Sequence, residues 1–426
     1  MTLQQPSSAT AIFLDQPPSC LQFHPSSPNH FLVGTYLLSE HKDASTDSIQ
    51  QTKTGSLQLW HLNPATNELS LLQKYALPYA VFDLHFHPTN PTLAAIATSA
   101  ASVVFFRITP PTEGASSSSS SSSGTASFIT ELHTQSVHED PSIPALYLAW
   151  LPQNWPNPNP NSTSSSSDGN ASGFAVTFSD GRTTLFHHPS PSSSPIPITE
   201  GDSFPANQEI EVWYVAAATY PETSTEEETS TPYLFTGNDF GSLHTRSFSA
   251  TDTDTETTCL LSHDDRARHH TAGVTSIVPL PVPMTDGAPW LLTGSYDECL
   301  RVYHASRRGE VLGEVGLGGG VWRLQVLSSS EGLSGGEGEG KEWVFLVLAS
   351  CMHAGTRVVR VRLVPGVRCE MEVLAEFTEH ESMNYASDVW KSKGGYDLQG
   401  RKEGDEVVCV SSSFYDRRVC VWRVNV

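Results

Sequence analysis

The stretch Trp290-Leu291-Leu292-Thr293-Gly294-Ser295-Tyr296-Asp297-Glu298-Cys299-Leu300-Arg301-Val302-Tyr303 constrains the chain more than any other. An apolar run, a tight polar turn and an alternating run up to an aromatic read as strand, turn, strand. Upstream, His270-Thr271-Ala272-Gly273-Val274-Thr275-Ser276-Ile277 reads as a polar entry into one more short strand. This two-part signal recurs: a short apolar strand opens a unit, and a strand–turn–strand closes it. The units fall at 16–62, 78–108, 143–188, 209–248, 270–305, 318–363 and 380–426.

About seven such units, and no long stretch of helical period, give an all-β chain. Strand units repeating in this way build a single β-propeller, here of seven blades. Most units are longer than the ~40–45 residues of an uninterrupted repeat. Low-complexity inserts at 116–123, 156–172, 189–197, 222–230, 251–258 and 331–341 account for the excess. Their composition buries too little apolar surface to offset ordering entropy, so they are expected as disordered loops between strands. A ring must also tie its first and last units together, because open sheet edges invite aggregation. Thr10-Ala11-Ile12-Phe13-Leu14 is strand-like and is expected to pair onto the last blade as its outer strand.

Formal net charge is −22 with only 24 Lys and Arg in 426 residues. That argues against nucleic acid and against an anionic membrane surface as partners. The seven cysteines form no CxxC pair, and no ligand-like spacing with histidine appears, so neither metal nor cofactor is expected. The cysteines read as reduced thiols and the N-terminus lacks a signal peptide, so a cytoplasmic monomer is expected, with the nucleus as the other possibility.

Gly332-Leu333-Ser334-Gly335-Gly336 matches a nucleophile elbow only formally, lacking the strand and helix that motif requires. The turn aspartates Asp180, Asp239, Asp297 and Asp416 read first as turn brackets. Unit six departs from them with Cys351-Met352-His353-Ala354-Gly355, where His353 is a candidate general base. Aligning the opening strands places Asp83, Tyr214, Ser276, Arg323 and Asp388 at about one depth of the central channel. An internal Asp–Arg salt bridge is one reading of these charges. A polar pocket in which Arg323 holds a carboxylate or oxyanion is the other.

The unit at 270–305 is similar to a blade of the WD-repeat propellers. That likeness implies a structural brace of His270, Ser295, Asp297 and Tyr303, with Asp416 and Trp422 as further brace positions in unit seven. A narrower resemblance rests on Gly34-Thr35-Tyr36 with Gly55-Ser56-Leu57-Gln58-Leu59, then Thr293-Gly294-Ser295-Tyr296-Asp297-Glu298, Gly319-Gly320-Val321-Trp322-Arg323-Leu324, Cys351-Met352-His353-Ala354-Gly355, His380-Glu381-Ser382-Met383-Asn384-Tyr385 and Ser413-Phe414-Tyr415-Asp416. With these runs the chain resembles the diphthine methyl ester hydrolases, a WD-repeat family of diphthamide biosynthesis also called diphthine methyltransferases. One departure is Ala386-Ser387-Asp388-Val389, where that family has a Gly-Ala-Asp-Trp-like run.

The resemblance implies hydrolysis of the methyl ester of methylated diphthine on translation elongation factor two, giving diphthine and methanol. On that basis His353 or Asp388 is expected to activate water and Arg323 to stabilise the oxyanion. Trp322 and Tyr385 are expected to hold a quaternary ammonium by cation–π attraction, with Asp83 and His380 as further substrate contacts. The alternative is a non-catalytic scaffold that presents a protein client to another enzyme.

Overall fold

Apolar residues at alternate positions bury one face of a strand, and seven such sheets wedge their faces together around an axis. The computed structural model describes residues 2–42, 49–111, 127–153, 155, 172–188, 198–205, 208–221, 230–249, 258–333 and 340–426. Every regular element among them is a strand. The strands form seven sheets, and their innermost members run Pro18–Phe23, Val81–Phe86, Ala145–Trp150, Val212–Pro221, Val274–Pro279, Arg323–Leu333 and Asn384–Val389 in blade order. These innermost strands touch one another in sequence around a ring, and the seventh returns to the first.

The core is a circle of wedges rather than one centre. Separate buried clusters fill the gaps between blades one and two, two and three, five and six, six and seven, and seven and one, and a larger cluster spans blades three to five. In the wedge between blades six and seven, Phe377 lies flat on Trp422 with ring centroids 5.0 Å apart.

Closure follows the sequence expectation. Ser8–Phe13 pairs antiparallel with Arg418–Asn425 and becomes the outer strand of blade seven. Upstream of it, Gln4 exchanges backbone hydrogen bonds with Leu374 and Glu376 of blade six. Blades two to six also carry an outer strand past the stretch read for each in sequence, such as Ile129–Ser136 in blade two and Glu310–Gly316 in blade five. Blade one adds a hairpin, Leu37–Lys42 against the first half of Ile49–Asn63.

The inserts at 116–123 and 189–197 lie outside the described residues, as does most of 156–172, 222–230 and 251–258. Two of the tracts begin or end in order, since Ser172 and Ser230 open strands. The 331–341 tract is corrected further: Glu331, Gly332 and Leu333 pair with Trp343, Glu342 and Lys341 as the end of a long hairpin. Backbone hydrogen bonding along a continuing ladder outweighs the weak strand preference of glycine and glutamate. The serine of the formal elbow, Ser334, lies outside the described residues.

Candidate functional site

Nearly every innermost strand has the same irregularity one residue in. The pairing register slips between Pro18 and Cys20, Val81 and Asp83, Ala145 and Tyr147, Val212 and Tyr214, Val274 and Ser276, and Asn384 and Ala386. A bulge leaves its extra residue unpaired and re-aims the side chain. The skipped residues include Phe82, Trp213 and Tyr385, and in blade six Trp322 stands directly before Arg323, where the paired strand begins.

These residues, with aromatics from the ends of second strands, form an arc around one mouth of the channel. Phe82 meets Tyr36 at 5.4 Å between ring centroids, Tyr36 meets Phe414 at 6.0 Å, and Phe414 meets Tyr385 at 5.4 Å. The arc continues from Tyr385 to Trp322 at 5.1 Å and from Trp322 to Trp213 at 5.5 Å. Tyr296 closes the inner side, 5.9 Å from Trp322. The hollow inside the arc measures about 530 Å3. Asp239 holds the Trp213 indole by accepting its N–H at 2.7 Å, so this turn aspartate orients a mouth residue.

Below the mouth lies a chamber of about 290 Å3 that shares Ser19 and Tyr385 with it and is lined by Asp83, His85 and Arg323 among apolar neighbours. Arg323 separates the two levels. Its guanidinium carbon sits 4.5 Å from the Trp322 ring, 4.8 Å from Tyr147 and 5.4 Å from Tyr214. Nη1 donates to the carbonyls of Thr275 at 2.8 Å and Trp322 at 3.0 Å. Those bonds fix the head and use only one of its three nitrogens, which together carry five N–H groups.

The Asp–Arg salt bridge, one of the two readings of these charges, is absent among the described residues. Asp83 instead pairs with His85 at 2.8 Å through Nε2, and both line the chamber. The His85 ring packs against Tyr147 at 5.1 Å, the same ring that carries Arg323. An imidazole oriented by a carboxylate and a fixed guanidinium thus share one small volume. Tyr147 and Tyr214 stack at 4.0 Å, and burial first, then their mutual influence, pushes the Tyr147 hydroxyl well above its ordinary value. Burial, with the nearby Asp83 charge, likewise raises the Cys20 thiol, so the sulfur in this chamber stays protonated and is no nucleophile.

Asp388 lines the chamber floor two residues beyond the position that matches Asp83, because Ala386 holds that register. Its carboxylate is filled by Lys391 Nζ at 2.6 Å, the amide of Val389 at 2.7 Å and the amide of Phe23 at 2.8 Å. It clips blade seven to blade one. His353 is exposed on its turn, outside the residues that line the mouth and the chamber. His380 is buried away from both, bonding Ser411 Oγ at 2.8 Å, and burial lowers its imidazole to about 4.

His380 belongs to a brace. Ser411 also accepts the Trp422 indole N–H at 3.0 Å, while Asp416 accepts from Ser382 at 2.6 Å. In blade five the hydroxyl opposite His270 is Thr293 at 2.9 Å, not Ser295, whose Oγ donates instead to the carbonyl of Ala272 at 2.9 Å. Thr293 and Ser295 differ by two positions, so strand alternation alone does not separate them. Asp297 pairs with Arg301 at 2.8 Å, and the Tyr303 hydroxyl donates to Asp265 at 3.4 Å.

The chain between Val389 and Glu406 crosses the far end of the channel. Tyr396 lines the chamber and donates to the carbonyl of His87 in blade two at 2.7 Å. Gly395 N–H reaches Pro25 of blade one and Leu398 N–H reaches Leu327 of blade six, both at 2.6 Å. Gly394, at φ 71°, lies so close to Pro25 that an added Cβ would stand 2.5 Å from its carbonyl oxygen.

Sequence reasoning missed His85 because it compared one position per strand, although Asp83 and His85 alternate onto the same face. It missed the arc because bulged residues break that alternation.

No protein-family model matches the chain. A diphthine methyltransferase of Schizosaccharomyces pombe is 29% identical over 154 residues, which is 36% of this chain and 38% of that protein. The Homo sapiens diphthine methyltransferase is 29% identical over 122 residues, 29% of this chain and 23% of that one. The chain therefore matches well under half the length of these relatives. Among solved structures, Chaetomium thermophilum Sqt1 bound to the N-terminus of ribosomal protein L10 superposes with a TM-score of 0.51 at 13% identity, covering 98% of this chain and 100% of that one. A second Sqt1 structure gives 0.50 at 12% identity, covering 99% and 100%. Those superpositions and the seven sheets establish the architecture: the chain is a seven-bladed β-propeller, part of whose sequence is similar to the diphthine methyltransferases.

Proposed function

We propose that the chain hydrolyses the methyl ester of methylated diphthine on translation elongation factor two. The observation that carries this reading is the stacking of two chemistries along one axis, a cage of aromatic rings above an arginine and an Asp–His pair. Diphthine carries a quaternary ammonium beside its carboxyl group. Trp322, Tyr385 and their neighbours supply ring faces for such a cation, each worth roughly 0.5–2 kcal/mol. The ester then extends past Arg323 into the chamber.

There His85, held by Asp83, takes a proton from water as the oxygen attacks the ester carbon. Arg323 stabilises the negative charge that develops on the carbonyl oxygen. Collapse breaks the bond to the methoxy group, the His85 proton leaves with it as methanol, and the acid so formed loses its own proton to solvent, leaving a carboxylate beside the guanidinium. His353 has no part in this scheme, and Asp388 acts only as a clip. On this reading the chain works as a monomer in the cytoplasm, where its substrate acts.

The other reading follows the Sqt1 likeness: a propeller that holds a protein segment and leaves chemistry to another enzyme. Methanol release decides between them. The purified chain alone, given methylated elongation factor two, should release methanol in step with ester loss. Binding of the modified factor without release supports the adaptor reading and removes the hydrolase.

A further inference from the structure

Away from the channel, a polar crevice of about 490 Å3 opens between blades three and four. Its notable wall residue is Arg246, on the third strand of blade four, Leu243–Phe248. The corresponding position, three residues past the start of pairing with the second strand, holds Trp60, Phe106, Phe186, Tyr303 and Trp422 in five other blades. Blade four breaks this aromatic series with a cation, and departures from a repeat concentrate at sites.

Arg246 is only 4% exposed. Its polar neighbours are neutral: Thr236 Oγ1 at 3.4 Å and His244 Nδ1 at 3.1 Å, with the Phe204 ring 5.0 Å from the guanidinium. Burial, with Arg246 itself, holds His244 down at about 4, so it stays a neutral acceptor. Four arginines are buried among the described residues, and the other three reach a carboxylate: Arg301 reaches Asp297, Arg357 reaches Glu376 and Arg360 reaches Glu372. Arg246 forms no such pair among the described residues. Asp264 lines the crevice too, but it acts on Arg246 only at longer range and accepts the Arg266 amide at 2.8 Å. A buried guanidinium without an anion is costly, and a ligand that supplies the anion recovers that cost.

We propose that this crevice binds a phosphate oxyanion, free or as a phosphomonoester. Arg246 contributes the buried charge and Arg266 a second cation at the rim. Thr183 and Ser242 offer hydroxyl donors from two blades. More than one cation and several single donors suit a multiply charged tetrahedral group better than a lone carboxylate. The inference is independent of the channel chemistry, and its test reads binding alone.

Inorganic phosphate, O-phosphoserine and acetate are titrated calorimetrically into the full chain and into Arg246→Met and Arg266→Ala. The wild type should bind phosphate saturably, Arg246→Met should weaken it by about tenfold or more, and Arg266→Ala by a smaller factor. O-phosphoserine binding more tightly than phosphate points to a phosphorylated protein as the source, and the reverse order to the free ion. Because methionine removes a buried charge that meets no carboxylate among the described residues, Arg246→Met should melt at or above the wild-type temperature without phosphate and gain less from phosphate. No saturable phosphate binding, equal binding by folded Arg246→Met, or acetate binding as tightly as phosphate would overturn the proposal.

Discussion

Trp322 and Arg323 are adjacent in sequence yet serve different levels of the channel, because the paired strand begins between them. Their substitutions should therefore fail differently. If the proposed hydrolysis holds, Arg323→Met, which removes the proposed oxyanion donor, should lower kcat for the methyl ester about 100- to 1000-fold with the fold intact by circular dichroism. Trp322→Ala, which removes part of the cation cage, should mainly raise KM, by roughly threefold to thirtyfold. His85→Ala should cost about 100-fold or more in kcat, whereas His353→Ala on its exposed turn should stay near wild type. A rate collapse in His353→Ala with an unaffected His85→Ala would reverse that assignment. Asp83 and Arg323 stood out in sequence because a charge in an innermost strand contrasts with its apolar neighbours, whereas Trp322 and Tyr385 were singled out only through the family resemblance. Asp388 was placed at the wrong depth because strand register is set by hydrogen-bonded partners, here Ala386 with Ser412, which spacing alone does not reveal.

At the scale of strands, legibility followed burial. Inner strands such as Leu93–Thr98 and Trp290–Ser295 are buried along their whole length and read as apolar runs. Outer strands such as Glu68–Leu77 alternate between exposed and half-buried residues and resemble loop composition. The closing strand was an exception, readable because a ring demands a partner for its last edge. Deleting residues 2–14 removes the outer strand of blade seven and the Gln4 bonds to blade six. The melting temperature should fall by about 10 °C or more, measured by scanning calorimetry. At the opposite face, replacing residues 392–401 by a short glycine-serine link removes Tyr396 and opens the chamber floor. Hydrolysis should weaken as water and solvent ions reach Arg323, while the blades stay folded.

For the whole molecule, acid is the weak side. Burial lowers His24, His87 and His380 to about 4 and His270 to about 3, against an unfolded value near 6.5. Between those limits the unfolded chain binds more protons than the folded one, so stability falls as pH drops from about 6.5 towards 4 and is regained on return. The carboxyls of Asp297 and Asp416, held low by hydrogen bonds from Arg301 and Ser382 despite burial, extend the loss below the usual carboxylate range. Melting temperature followed across this range should decline steadily, and a flat profile would mean these imidazoles are not buried neutral.

The seventh blade takes three strands from 384–425 and one from 8–13. A ribosome delivers the chain from its N-terminus, so Ser8–Phe13 leaves the exit tunnel early and has no partner until Arg418–Asn425 follows. Six blades can pair internally during synthesis, but the ring gains its last wedge only when that final stretch is free. The early strand must wait throughout as an unpaired edge, which makes it the segment a nascent-chain chaperone would find.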